Sequence, residues 1–194
     1  MLDQLIQADI QLFTFLNGVH APWLDPVMWW ISARSPWIPF YVFLVVMMIL
    51  RLRWKRGLMA VVSIVLVVII ADRFTSGFMK PYFERPRPSH EKLIKDKVHV
   101  LKDQNGHEYR GGAYGFASSH SANAFGMAMF MFLLFRGRWR WMFVWAFIVA
   151  YSRIYLGVHY PGDIIVGGLV GVLAAWGVFK MYTLVTPSIV GKGN

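Results

Sequence analysis

Apolar and polar positions fall in long blocks along this chain, and each block predicts an element. Residues 2–16 set Leu2, Leu5, Ile6, Ile10, Phe13 and Leu16 near helical spacing, with Asp3, Gln4, Gln7, Asp9 and Gln11 between them. That pattern predicts an amphipathic helix lying at a membrane surface, ended by Asn17-Gly18. An apolar stretch over 22–50 is broken at Ser35-Pro36 and Pro39. It predicts a short helix over 24–33 and a spanning helix over 37–52, since a bilayer core takes about 20 apolar residues. Further spans are predicted over 57–79, 116–135, 141–155 and 161–182. Between the second and third spans lies the one long hydrophilic stretch, 80–115, and a short polar tail, 183–194, follows the last span. The expected fold class is all-α integral membrane, a single domain over 1–194. It has five transmembrane helices (six if residues 1–20 cross) and a loop over 80–115.

Composition sharpens the membrane assignment. Hydrophobic residues make up 57% of the chain and charged residues 15%, against about 45–50% and about 25% in soluble domains. Trp23, Trp29, Trp30 and Trp37 suit an interfacial aromatic belt. The net charge of +10 could suggest nucleic acid, but the bases gather between apolar runs. Arg51-Leu52-Arg53-Trp54-Lys55-Arg56 and Arg136-Gly137-Arg138-Trp139-Arg140 are short basic turns, which read as membrane topology and a phosphate-bearing partner, with no nucleic acid. The positive-inside rule puts both turns in the cytoplasm and the N-terminal segment, residues 80–115 and the 155–161 joint outside. With no cysteine, disulfides, thiol nucleophiles and Cys-ligated metals are excluded. Met1-Leu2-Asp3-Gln4 lacks the basic start of a cleaved signal peptide.

Three polar clusters then fall at helix ends on that outer face. They are Lys80 to Pro88, Ala117-Ser118-Ser119-His120-Ser121, and Ser152-Arg153 through His159 to Asp163. The residue types suit phosphate: Arg87 and Arg153 offer planar forks and Lys80 a compact charge. Ser118 is placed to cap a helix whose amides at Ser119, His120 and Ser121 would face an anion. Of His120 and His159, one can attack phosphorus while the other protonates the leaving oxygen. Asp163, four residues after His159, can hold its imidazole as the acid of a catalytic triad does.

Lys80 with Arg87-Pro88, Ser118-Ser119-His120, and Ser152-Arg153 with His159 and Asp163 resemble the three signature motifs of the type 2 phosphatidic acid phosphatase superfamily. The first and third match in residue type and spacing. In the second, Ala117 and Ser119 stand where the family usually has proline and glycine. The resemblance implies a bundle like that of the superfamily and its haloperoxidase relatives. It implies catalytic His159 as nucleophile forming a phosphohistidine, Asp163 as the partner that orients His159, and His120 as general acid. Lys80, Arg87, Ser118, Ser119 and Arg153 are the implied phosphate-binding residues, with no metal and no cofactor. The expected activity is a lipid phosphatase of a bacterial inner membrane, facing outside. Undecaprenyl diphosphate or phosphatidylglycerophosphate is the favoured substrate, with phosphatidic acid and lipid A phosphates also open. A phosphotransferase would use the same residues with an acceptor other than water, and a lipid or anion transporter the same basic cradle.

The remaining polar residues receive plainer expectations. Arg85 is expected to be a solvated or headgroup-facing base. Asp72, with Arg73 inside the second span, is expected to support Lys80. His90, His99 and His107 are expected to be solvated in a loop that could cap the site. Gly77, Gly167, Gly168 and Gly171 are expected at close helix contacts, and Met127 to Met131 on packing or lipid-facing surface.

Overall fold

The computed structural model describes residues 2–102 and 106–186. The predicted tail over 183–194 thus lies outside the described residues from 187 on. Among these residues, eight α-helices follow in order: α1 (Leu2–Gly18), α2 (Asp25–Ser32), α3 (Ile38–Leu52), α4 (Trp54–Asp72), α5 (Lys80–Phe83), α6 (Ser119–Leu134), α7 (Met142–Tyr155) and α8 (Pro161–Val185). Among the described residues there is no strand, only isolated bridges pairing Pro86 with Tyr114 and Lys102 with Glu108. The class is all-helical. Among the described residues, three stretches are long and apolar enough to cross a membrane: Ser35–Leu52, Trp54–Phe83 and Pro161–Val185. α6 and α7, with 16 and 14 residues, are shorter than the spans expected at 116–135 and 141–155.

The second apolar run extends further than its polar sequence suggested. Helix continues through a π-helical turn, Arg73–Met79, into Lys80–Phe83. Pro81 has no N–H to donate to the preceding turn, and the helix meets it with a widened turn of the kind that often marks functional sites. Lys80 is therefore carried on a helix end, not on a loop.

The core gathers where α4, α7 and α8 surround α6, with α3 packed on α4, and Leu44, Met48, Val67, Phe130, Met131 and Ala146 are buried there. α6 and α8 meet most closely. A methyl group on Gly171 would stand 2.0 Å from the Ala122 carbonyl oxygen, and one on Gly167 2.3 Å from that of Ser118. Only glycine lets these backbones approach so closely. Gly77 differs from expectation: nothing lies within 4 Å of its would-be Cβ, because its face of the π turn has no packed neighbour.

α1 turns a second face inward. Asp9, Phe13 and Asn17 recur at i, i+4 and i+8, which places them on one stripe. Phe13 packs with Ala150, Ile154, Tyr160 and Ile164. Buried Asn17 donates to the carbonyls of His99 (3.2 Å), Ile154 (3.0 Å) and Tyr155 (2.9 Å) and accepts from the His99 amide at 2.8 Å. One amide side chain thus ties the hydrophilic loop to the end of α7. Leu5, Leu12 and Phe15 remain exposed on the other side.

Candidate active site

The turn between α7 and α8 carries His159, which is buried. Pro161 opens α8, where its missing N–H costs nothing, and this puts Asp163 at the third helical position. There Asp163 Oδ2 accepts the Tyr160 backbone N–H at 3.0 Å and lies 3.2 Å from His159 Nδ1. One carboxylate oxygen therefore caps the helix and holds the imidazole. With its proton on Nδ1, facing the carboxylate, the ring keeps a lone pair on Nε2. Burial, and after it the Arg87, Arg153 and Lys80 cations, hold His159 well below the ordinary histidine range. The imidazole is neutral at neutral pH and can act as a nucleophile.

The other Asp163 oxygen is also engaged. Oδ1 accepts from Arg85 at 3.0 Å, and Arg85 donates to Asp9 of α1 at 2.8 Å. The guanidinium lies 4.0 Å over the Tyr160 ring, and Asp9 also accepts the Gly162 amide at 2.8 Å. Arg85 is thus not the solvated base its sequence position suggested. It bridges two carboxylates that come from opposite ends of the chain.

Lys80 donates to Ser76 at 3.2 Å, and Ser76 donates to Asp72 at 3.4 Å. Asp72 supports the lysine as expected, through an intervening hydroxyl. Buried Arg87 donates to the carbonyls of Tyr114 (3.1 Å) and Val158 (3.4 Å). Arg153, 3% exposed, donates to the Ser32 hydroxyl and, at 3.0 Å, to that of Tyr109. Its Nε–H is buried without a hydrogen-bond partner.

Ser118 caps α6 as predicted, its hydroxyl accepting the Ser121 amide at 3.4 Å. Its own amide donates to the Asp163 carbonyl at 3.0 Å. The Ser121 amide thus turns inward and only those of Ser119 and His120 are left to face an anion. What Ser118 can offer such a ligand is its hydroxyl hydrogen. His120 lies within electrostatic reach of Arg153, His159, Arg34 and Lys80. It also lines a cavity of about 680 Å³ together with Tyr41, Leu44, Met48, Ile64, Arg34 and Arg73. The fold brings every predicted site residue to this end of the bundle. Three cations, two imidazoles and a helix N-terminus can together hold a phosphoryl group and transfer it.

The profile of the PAP2 superfamily matches residues 58–187, a stretch that contains all three motifs. The chain belongs to the PAP2 superfamily. A lipid A 4'-phosphatase of Bacteroides thetaiotaomicron is 40% identical to it over 91% of this chain and 77% of that one. A lipid A 4'-phosphatase of Porphyromonas gingivalis is 36% identical over 93% and 75%. A solved structure titled as a transmembrane PAP2 type phosphatidylglycerolphosphate phosphatase from Bacillus subtilis superposes with a TM-score of 0.68 at 24% identity. It covers 98% of this chain and 90% of that one, a likeness that carries the fold. This PAP2 chain is an enzyme, a lipid phosphatase of the hydrolase class.

Several residues around the PAP2 motifs had no sequence-level signal of their own. Ser32 and Tyr109 reach Arg153 from α2 and the hydrophilic loop, and neither stands in a motif. Asp9 could have been suspected from its stripe with Phe13 and Asn17. Gly115 closes over the site: a Cβ there would lie 3.0 Å from Asp163 Oδ2 and 3.2 Å from Arg87 Cγ. His99, expected to be solvated, lies 3.0 Å from Asp25 and stacks on His20 at 3.8 Å. His90 remains exposed, 3.4 Å from the Gly111 carbonyl.

Proposed function

We propose that this PAP2 enzyme removes phosphate from an extracytoplasmic lipid through a phosphohistidine on His159. The observation that carries the reading is the buried His159–Asp163 pair, set in the field of the Lys80, Arg87 and Arg153 cations. His159 Nε2 attacks phosphorus with its lone pair as the bond to the leaving oxygen breaks. Protonated His120 gives its proton to that oxygen. Water then attacks the phosphohistidine, His120 takes its proton, the P–N bond breaks and phosphate leaves. Asp163 keeps the proton on Nδ1 and stabilises the positive ring. Lys80, Arg87, Arg153, the Ser118 hydroxyl and the Ser119 amide hold the phosphoryl oxygens, and the unpartnered Arg153 Nε–H supports that assignment. Among the described residues no group of three or more His, Asp or Glu is placed to hold a metal ion. The proposal is a metal-independent, cofactor-free reaction.

Five spans (α3, α4 with its continuation, α6, α7 and α8) serve the basic turns best, in a single domain of a bacterial inner membrane. α1 then lies at the interface with Leu5, Leu12 and Phe15 toward lipid, and the 80–115 loop covers the site outside. For the substrate, sequence alone favours undecaprenyl diphosphate or phosphatidylglycerophosphate. Two relatives named lipid A 4'-phosphatase move the preference to a phosphorylated, acylated sugar lipid.

A phosphate-release panel with purified protein tests this reading on lipid A, phosphatidylglycerophosphate, phosphatidic acid and undecaprenyl diphosphate. Release is expected, fastest on lipid A, and unchanged in EDTA. His159→Ala is expected to lower it at least about 10⁴-fold, the scale of losing a catalytic nucleophile. Restoration of an EDTA-inactivated enzyme by a divalent ion, or full activity in His159→Ala, refutes the corresponding part.

A further inference from the structure

The hydroxyl of Tyr109 is engaged on one side only. It accepts from Arg153 Nη2 at 3.0 Å, and among the described residues it donates to none. The ring that aims it is held in place although Tyr109 is partly exposed. Its backbone N–H donates to the Leu101 carbonyl at 2.8 Å, and its ring meets Trp29 of α2 edge-on at 5.2 Å. It packs on the buried cluster of Leu101, Tyr155, Leu156 and Val158. The charges that reach the oxygen are positive. Burial pushes the phenol up, but the charge and hydrogen bond of Arg153, then Arg87 and Arg34, outweigh it and bring the group below its ordinary value. A carboxylate in this place would hold Arg153 more strongly, but it would also cancel the guanidinium charge and repel a phosphate. A phenol holds the guanidinium by accepting, leaves its charge in place, and keeps one hydrogen to give. Set among three cations, that hydrogen suits an anion as its acceptor.

We propose that Tyr109 is a further phosphate ligand of this enzyme, its O–H donating to a non-bridging oxygen of the phosphoryl group that Arg153 holds. The inference rests on the reading of Arg153 as a phosphate-binding residue. The group recognised is the terminal phosphoryl itself, whatever lipid carries it. Hydrogen bonds to an ionised oxygen belong to the stronger class, so one hydroxyl is enough to register in binding. The hydrophilic loop then takes part in the site. It brings a donor from 44 positions away from Arg153, outside all three motifs.

The test uses the full chain in detergent, with inorganic phosphate and the best lipid of the release panel. Tyr109→Phe keeps the ring against Trp29 and removes the hydroxyl. It is expected to lower kcat/KM about 10- to 100-fold, the size of a hydrogen bond to a charged group, and to weaken inhibition by inorganic phosphate similarly. A wild-type value of either overturns the proposal. A hydroxyl that merely propped Arg153 would give the same losses, so the substitution is repeated on Arg153→Lys. Direct contact predicts that Tyr109→Phe lowers kcat/KM in that background by a similar factor. A factor near one there makes the hydroxyl a support for Arg153 alone and overturns the proposal. A further arm needs no turnover. With a ring-fluorinated tyrosine at position 109, the fluorine resonance is expected to move on titration with inorganic phosphate. Absence of phosphate release from every lipid by wild type strikes the phosphatase reading and leaves this titration to decide. Normal release with an unmoved resonance strikes the Tyr109 inference alone.

Discussion

Arg85 shows how much of this site rests on residues outside its motifs. Asp163 is fully buried, and its two oxygens serve three donors: His159, the Tyr160 amide and Arg85. Removing one partner of such a pair leaves a buried charge poorly compensated, and the carboxylate must shift or take a proton. Either change disturbs the imidazole it holds. Arg85→Leu is therefore expected to lower kcat about 100-fold, as small misplacements of reacting groups do, with little change in KM. The kcat and KM of the purified variant check this. A dominant rise in KM would mean that Arg85 binds phosphate itself, and would remove it from the positioning role. The guanidinium was legible as a basic residue beside a motif, but its partners were not. Asp9 lies 76 positions away and Asp163 lies 78, and no local pattern reports a contact of that range.

At the level of elements, the α6–α8 contact decides where Ser118 and Asp163 stand relative to each other. The Ser118 amide donates to the Asp163 carbonyl, so the first turns of the two helices are joined directly beside the imidazole. Gly167 and Gly171 allow this approach. Gly171→Ala would push a methyl into the Ala122 carbonyl and the Gly126 amide. It is expected to cost about 1–3 kcal/mol, as overpacking does. Gly77→Ala, with open space around it, is expected to stay within about 0.5 kcal/mol of wild type. Thermal or denaturant unfolding in one detergent compares the pair, and equal stabilities would refute the packing assignment. The pair also marks the limit of reading glycines from sequence. All these glycines sit in apolar helices, and only the facing surface separates a contact from bare backbone. The short length of α6 has a similar cause. Its cap at Ser118 was legible, while the extended segment ahead of it is held by contacts to the loop and α8.

For the molecule as a whole, the basic turns at 51–56 and 136–140 stand for the proposed orientation, and the hydrophilic loop is the segment that reports it. Lys97 is exposed in that loop and the chain has no natural cysteine. Lys97→Cys is expected to react with an impermeant thiol reagent added to intact spheroplasts. Labelling only after lysis would reverse the topology and move the proposed substrate pool to the cytoplasm. The blocks of hydrophobicity determined the helical class and most helix positions, because burying apolar side chains and pairing backbone groups is a local requirement that each block states for itself. The motif spacings picked out the residues proposed to carry the chemistry, because phosphoryl transfer asks for particular side chains at helix ends. The tertiary structure alone decided the supports. It brought Asp9 and Asn17 of α1 to the α7–α8 turn, hung Tyr109 and Ser32 on Arg153, and left Arg153 Nε buried without a partner. These are relations between segments far apart in the chain, settled by which surfaces pack together and which polar atoms that packing strands. A linear sequence carries no mark of either until the helices meet.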